Sequence, residues 1–131
     1  MTDIVTIGID LAKNVFAVHG VDATGKPVLL RPSVPRAKLL ELIAALPPCL
    51  IGMEACSGAH HWAREFIALG HTVRLIHAKV VRPFVAGNNT NTTDARAIWL
   101  AIQQPGTKFV GIKTEEQQAT LVLHRQRELL M

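Results

Sequence analysis

Three acidic residues stand at positions where a mixed sheet would bring them together. Asp10 ends the predicted strand 4–9, Glu54 ends the predicted strand 49–54, and Asp94 begins a predicted helix. Carboxylates about 4 Å apart repel by on the order of 4 kcal/mol at an effective dielectric of 20. A fold tolerates that repulsion when divalent cations occupy the gap, and Mg²⁺ prefers a few carboxylates together with waters and substrate phosphate. The trio therefore predicts phosphoryl transfer on nucleic acid, with two ions at the attacking and leaving oxygens.

Each carboxylate also has a purely structural explanation. Aspartate is common at strand ends, which covers Asp10, and the helix macrodipole favours an acidic residue such as Asp94 in a first turn. The structural explanation is weakest for Glu54, because a carboxylate that closes an apolar run needs a polar partner.

The elements that must position these residues change character along the chain. Runs 4–9, 15–21 and 28–30 are β-branched and apolar, and the segment Asp22–Lys26 has strong turn chemistry, which predicts antiparallel pairing. Strands 49–54 and 73–76 then alternate with helices, which indicates right-handed crossovers and parallel pairing. The predicted fold is α/β, with three antiparallel strands followed by parallel strands, flanked by helices.

The helices are predicted from apolar spacing and from start and stop signals. An apolar stripe over 39–46 ends at Pro47 and Pro48, and a second helix is predicted to be capped by Ser57 and stopped by Gly70. A short helix over 78–85 contains Pro83, and a capping box at 114–117 begins a helix that runs to Met131. Side chains expected in the core of the helical layers are Trp62, Phe66, Ile67, Leu69 and Trp99.

Composition limits the class of protein. The chain has 131 residues, enough for one domain, with 49% hydrophobic and 18% charged residues and a formal charge of +4. No apolar run reaches the length of about 18 residues that a membrane span needs, and the N-terminus lacks the basic region of a secretory signal. Cys49 and Cys56 form no metal-binding pattern and are expected to be buried, reduced thiols, which favours the cytoplasm.

Three segments carry a resemblance to a known family. They are Ile7–Lys13 (IGIDLAK), Gly52–Gly58 (GMEACSG) and Thr93–Ile98 (TDARAI). In order and spacing they resemble the conserved blocks of the DEDD-type insertion-sequence transposases, which are related to the Piv-type DNA invertases and, more distantly, to the RuvC resolvases. The resemblance extends over nearly the whole chain.

The resemblance implies a ribonuclease H-like (RuvC-like) catalytic domain over residues 1–112, with four acidic ligands for Mg²⁺, for which Mn²⁺ can substitute. Three of these ligands correspond to Asp10, Glu54 and Asp94. The fourth position holds Asn91, which offers a neutral carbonyl oxygen, and Asn89 stands where the family tends to have lysine. Losing one negative charge is expected to weaken metal binding by about tenfold to a thousandfold, which would impair catalysis.

The partners follow from the same resemblance. DNA is the expected substrate, a structured guide RNA is a further candidate, and no membrane is expected. Residues 113–131 are expected to begin a long helix that leads to an absent C-terminal region. The apolar side chains of this helix favour a homo-oligomer. Basic residues that could contact nucleic acid are Lys13, Lys79, Arg82 and Arg96.

Two other functions are compatible with the pattern. Asn91 is consistent with a non-catalytic transposase remnant that binds nucleic acid or a partner subunit. The run Ile7–Asp10 followed by a hairpin also opens the actin/hexokinase-like ATPases, although those enzymes usually continue with a glycine-rich or hydroxyl-bearing phosphate turn, where this chain has Leu11–Asn14.

Overall fold

The protein, described from a computed structural model over residues 3–11, 14–85 and 91–120, is built on a five-stranded mixed sheet. The strands are β1 (Thr6–Leu11), β2 (Val15–Val21), β3 (Pro27–Pro35), β4 (Leu50–Glu54) and β5 (Thr72–Ile76). Their order across the sheet is β3-β2-β1-β4-β5, with β1 at the centre. Antiparallel pairing joins the first three strands, and parallel pairing joins β4 to β1 and to β5. The predicted topology is confirmed.

The turn between β2 and β3 forms because Asp22 caps it with its own side chain. The Asp22 carboxylate accepts hydrogen bonds from the backbone N–H groups of Thr24 and Lys26, and Gly25 takes a left-handed φ of 85°. The β3 strand is longer than the predicted 28–30. It tolerates Pro32 because it is an edge strand and its pairing with β2 is irregular there.

Helices cover both faces of the sheet. They are α1 (Arg36–Ala44), α2 (Ser57–Ala68), α3 (Ala78–Val81) and α4 (Asn91–Ile102), with a 3₁₀ turn at Arg82–Phe84. Residues 115–120 are also helical. The predicted capping box is present, because Thr114 Oγ1 accepts from the N–H of Gln117 and the Gln117 side chain accepts from the N–H of Thr114. In the described ranges, no helix is long and apolar enough to cross a membrane.

Two hydrophobic cores lie on opposite faces of the sheet. The core under α1 and α2 includes Ile7, Ile9, Phe16, Leu39, Ile43, Ile51, Met53 and Phe66. The core under α4 consists of Ile76, Val81, Ala97, Ile98, Ala101 and Ile102. Because side chains alternate along a strand, Ile7 and Ile9 face α1 and α2, whereas Gly8 and Asp10 face α4.

Some details of the predicted helices are wrong. Cys56, not Ser57, is the N-cap of α2, because Ser57 is already the first helical residue, and Cys56 makes no side-chain capping hydrogen bond. Ile67 and Leu69 are exposed, since the buried stripe of α2 is formed by its residues 59, 62, 63 and 66. Cys56 is an exposed free thiol, while Cys49 is buried as predicted.

Several sequence predictions fall outside the described residues. Lys13, Asn89 and the helix beyond residue 120, with its expected oligomer contacts, lie there. The backbone of Asn91 is the first residue of α4, but its side chain is also outside them.

Candidate active site

Asp10 and Glu54 lie on neighbouring parallel strands at the same edge of the sheet. Gly8 pairs with Gly52, and Ile9 pairs with Met53, so Asp10 and Glu54 follow at equivalent places. Both residues are two positions beyond a paired glycine and therefore face α4. Each is partly exposed. The sheet thus brings these two carboxyl groups to one side of the same edge.

Asp94 reaches this edge from α4, where it is the acidic residue of the first turn. The helix lies across β1 and β4, with the residue after Asp94, Ala95, fully buried against the sheet. An acidic side chain in a first turn is also stabilised by the helix dipole. Sheet and helix together place all three predicted acidic residues in one region.

The electrostatics of Asp10 record this proximity. Its pKa is raised from 3.8 to about 6, first by burial, then by the negative charge of Asp94 and then by that of Glu54. The pKa of Glu54 is also raised, by burial and by Asp94, while the nearby Arg82 guanidinium acts in the opposite direction. The three carboxyl groups therefore share one electrostatic environment.

The described side chains do not form a finished metal centre. Among residues 3–11, 14–85 and 91–120, no three His, Cys, Asp or Glu side chains are arranged so that they could hold a metal ion. The donors present are hard oxygen ligands, which suit Mg²⁺ or Mn²⁺ in type, and Mg²⁺ usually takes only one or two carboxylates, with waters and phosphates completing its octahedron.

The predicted basic residues separate into two places. Arg82 is exposed in the 3₁₀ turn after β5, close enough to Glu54 to affect its pKa, and Lys79 is exposed in the preceding α3. Arg96 is also exposed on α4, but its charge acts on His19 of β2 and lowers the pKa of that buried ring, after burial itself. The structure therefore brings Arg82 to the acidic edge and places Arg96 beside β2.

The sequence did not predict a polar contact between α2 and the segment 113–118, here called the α2 latch. His60 Nδ1 accepts a 3.0 Å hydrogen bond from the N–H of Lys113, and Arg64 donates to the carbonyl of Lys113 and to Gln118. The Gln118 side chain in turn donates to the carbonyl of Ser57. In the sequence, the adjacent pair His60–His61 was the only feature that hinted at this contact. His60 is buried in the latch while His61 is exposed, as divergent directions on a helix require.

The paired glycines Gly8 and Gly52 are the other feature that sequence reasoning did not use. An isolated glycine in a strand often marks a close backbone approach, which is the signal that could have found them. Both lie directly under α4.

Comparison with solved structures settles the fold. The chain superposes on the structure of RuvC from Thermus thermophilus with a TM-score of 0.57 and 14% sequence identity, covering 80% of this chain and 99% of that one. A second structure, Thermus thermophilus RuvC in complex with Holliday junction substrate, gives a TM-score of 0.53 at 15% identity and covers 82% of this chain. The fold is RuvC-like. The predicted ribonuclease H-like class is thereby confirmed.

Sequence comparison adds relatives to this RuvC-like domain. The chain is 48% identical over 125 residues to a Pseudomonas aeruginosa protein named "Probable family 20 transposase", 95% of the chain being covered. It is 44% identical over 131 residues to the transposase for insertion sequence element IS1328 of Yersinia enterocolitica, and 39% identical over 131 residues to that for IS1111A of Coxiella burnetii. The chain spans 36–39% of the length of these relatives. No family model matches it.

Proposed function

We propose that this chain is the catalytic domain of a DNA transposase of the DEDD type, which performs metal-dependent phosphoryl transfer on DNA. The observation that carries the proposal is that Asp10 and Glu54 follow paired residues on neighbouring parallel strands of a RuvC-like sheet, with Asp94 of α4 close enough to raise the pKa of both. The similarity to insertion-sequence transposases supports the same reaction class. The proposed catalytic domain comprises residues 1–112, and in the segment that follows it Lys113 and Gln118 are hydrogen-bonded to α2.

Each acidic residue has a defined part in this proposal. Asp10, with its pKa of about 6, is mostly ionised at pH 7 to 8 and would hold the metal together with Glu54 and Asp94. Bound Mg²⁺ or Mn²⁺ would neutralise charge that develops on the attacking and leaving oxygens of a phosphodiester. Asn91 would add a neutral oxygen ligand. Fewer anionic ligands imply weaker metal binding than four carboxylates provide.

The basic residues would hold the DNA backbone beside this centre. Arg82, whose charge acts on Glu54, would contact a phosphate there, and Lys79 of α3 would add positive charge beside it. Arginine suits this task because its planar guanidinium can bind phosphate oxygens with two hydrogen bonds. Lys13 and Arg96 are proposed as further phosphate contacts.

The proposal is tested by Mn²⁺ binding and by DNA cleavage with the same protein. Calorimetry and Mn²⁺ electron paramagnetic resonance should detect binding that Asp10→Asn and Glu54→Gln weaken. Asp3→Asn and Glu41→Gln, which change exposed carboxylates away from this edge, serve as matched controls. Cleavage of supercoiled plasmid and of a four-way DNA junction should require the metal. Equal Mn²⁺ binding by the wild type and both site variants would overturn the proposal.

Asn91 specifically favours a second candidate, a non-catalytic domain that binds nucleic acid or a partner subunit. If this candidate function is correct, chelation of divalent ions should leave DNA or RNA binding unchanged. Asn91→Asp should also leave Mn²⁺ binding undetectable. Mn²⁺-dependent cleavage by the wild-type chain would exclude it.

A further inference from the structure

The backbone of α4 approaches the sheet closely at Gly8 of β1. A methyl group on Gly8 would collide with the carbonyl oxygen of Ala95 and would lie 2.8 Å from the backbone nitrogen of Trp99. These atoms belong to the helix backbone and cannot rotate away. Only glycine permits this approach, so any larger residue would require α4 to move by roughly 1 Å to recover normal contact distances.

The second contact occurs at Gly52, the register partner of Gly8 on β4. Here a methyl group would meet the side chain of Ile102, at 2.6 Å from Cδ1 and 2.9 Å from Cγ2. Ile102 lies in the last turn of α4 and is buried. Gly8 therefore lies under the middle of α4, against its backbone, and Gly52 lies under its last turn, against a side chain.

Both partners in the Gly8 contact lie near an acidic residue of the candidate active site in the sequence. Ala95 directly follows Asp94, and Gly8 precedes Asp10 by two positions on the same face of β1. A change in the height of α4 over Gly8 must therefore change the separation of Asp94 from Asp10. The contact of α4 with the sheet at Gly8 therefore affects the geometry of the acidic residues.

We infer that Gly8 and Gly52 are positioning residues that set the spacing of Asp94 from Asp10 and Glu54 by seating α4 directly on the sheet. The inference rests on the proposed function, because it gives a role to that spacing. Neither glycine has a side chain that could bind substrate or metal. Both act through the placement of Asp94.

The first experiment compares glycine-to-alanine variants that differ only in the space available. Gly8→Ala should weaken Mn²⁺ binding by roughly 10- to 100-fold, the range found when groups that orient metal ligands are lost. Gly111→Ala is the matched control, since nothing lies within 4 Å of a methyl group there. It should bind Mn²⁺ as the wild type does.

The second experiment uses rescue, which a general loss of stability would not produce. Gly52→Ala should also weaken Mn²⁺ binding, and adding Ile102→Ala should restore it, because that change removes all three atoms that would meet the new methyl group. Truncating Trp99 should not rescue Gly8→Ala, since backbone atoms cause that collision. Binding by Gly52→Ala equal to that of the wild type, or failure of Ile102→Ala to rescue it, would overturn the inference.

A readout without metal separates this inference from the proposed function. Crystal structures of the wild type and of Gly52→Ala, with and without Ile102→Ala, should show Asp94 displaced from Asp10 in the single variant and returned in the double variant. If Asp94 is not displaced in Gly52→Ala, the inference that the two glycines position Asp94 is wrong. If the wild type does not bind Mn²⁺ but Asp94 is displaced in Gly52→Ala, the proposed function is wrong. The two glycines would then still set the position of Asp94.

Discussion

Asp10 and Asp94 interact electrostatically although they belong to a central strand and to the last complete helix of the described chain. The pKa of Asp10 is about 6, raised first by burial and next by the charge of Asp94. A carboxyl group with a raised pKa is destabilising once it ionises. The site therefore carries an electrostatic cost in the metal-free protein.

Replacing Asp10 should stabilise the metal-free fold. A rise from 3.8 to about 6 corresponds to about 3 kcal/mol for a shielded group, and solvent screening of this partly exposed carboxyl reduces that to about 1–2 kcal/mol. Because the folded-state pKa is raised, the penalty is absent below pH 3.8 and complete above about pH 6. Urea unfolding of Asp10→Asn should therefore show a higher free energy of unfolding than the wild type at pH 7.

The advantage of Asp10→Asn should disappear near pH 4, where the wild-type carboxyl is protonated in both states. Asp3→Asn, at an exposed position, should leave the free energy of unfolding unchanged at both pH values. Millimolar Mn²⁺ should reverse the order by stabilising the wild type through mass action. A variant no more stable than the wild type at pH 7 would contradict the electrostatic coupling.

Placing aspartate at position 91 should strengthen metal binding. Asn91→Asp adds a negative charge at the position where the resembling family has its fourth acidic ligand, and the Mn²⁺ dissociation constant should fall by about tenfold or more. Without metal, the added carboxylate should raise the pKa of Asp10 further, which NMR titration can measure. Asn14→Asp, on an exposed residue before β2, controls for net charge. An equal gain in Mn²⁺ affinity in both variants would argue against a ligand at position 91.

Arg82→Gln should weaken DNA binding mainly through the loss of one phosphate contact. The affinity should fall severalfold, and the slope of log K against log salt should become shallower by about one. Lys38→Gln is the control, because Lys38 lies on α1, whose buried residues pack on the opposite face of the sheet. Fluorescence anisotropy over a range of salt concentrations measures both quantities. Identical salt slopes for Arg82→Gln and the wild type would show that Arg82 does not contact a DNA phosphate.

The α2 latch should weaken in acid. The pKa of His60 is lowered by burial and by the charges of Lys113 and Arg64, so the neutral ring accepts the Lys113 N–H in the folded state. With a lowered folded-state pKa, the stabilising contribution is complete above the ordinary value of 6.5 and is lost as the pH falls. Amide hydrogen exchange at Lys113, corrected for intrinsic rates, should therefore show less protection at pH 5 than at pH 7.

Removing the acceptor should mimic this acid effect. His60→Ala leaves the Lys113 N–H without its partner, at a cost of about 1–2 kcal/mol in local protection. His61→Ala, at the exposed neighbouring position, is the matched control. Exchange at Lys113 that stays pH-independent in the wild type would show that His60 does not control the latch.

The order of strands and helices, the Asp22 turn and the Thr114–Gln117 capping box could all be read from the sequence. These features depend on contacts between residues near one another in the chain, so local composition and spacing specify them. The resemblance of three short segments also led correctly to the RuvC-like fold. Glu54 ends its strand as predicted, whereas β1 continues one residue past Asp10 and α4 begins three residues before Asp94.

Long-range packing decided the rest. Which side of α2 is buried depends on where α1 and the sheet lie, and so Ile67 proved to be exposed although its residue type favours the core. The α2 latch joins residues more than fifty positions apart, and neither partner carries a local signal for the other. The raised pKa of Asp10 likewise arises from burial and from the charges of Asp94 and Glu54, two residues that only the folded chain brings near it. Such effects depend on distances across the fold, which spacing along the chain does not encode.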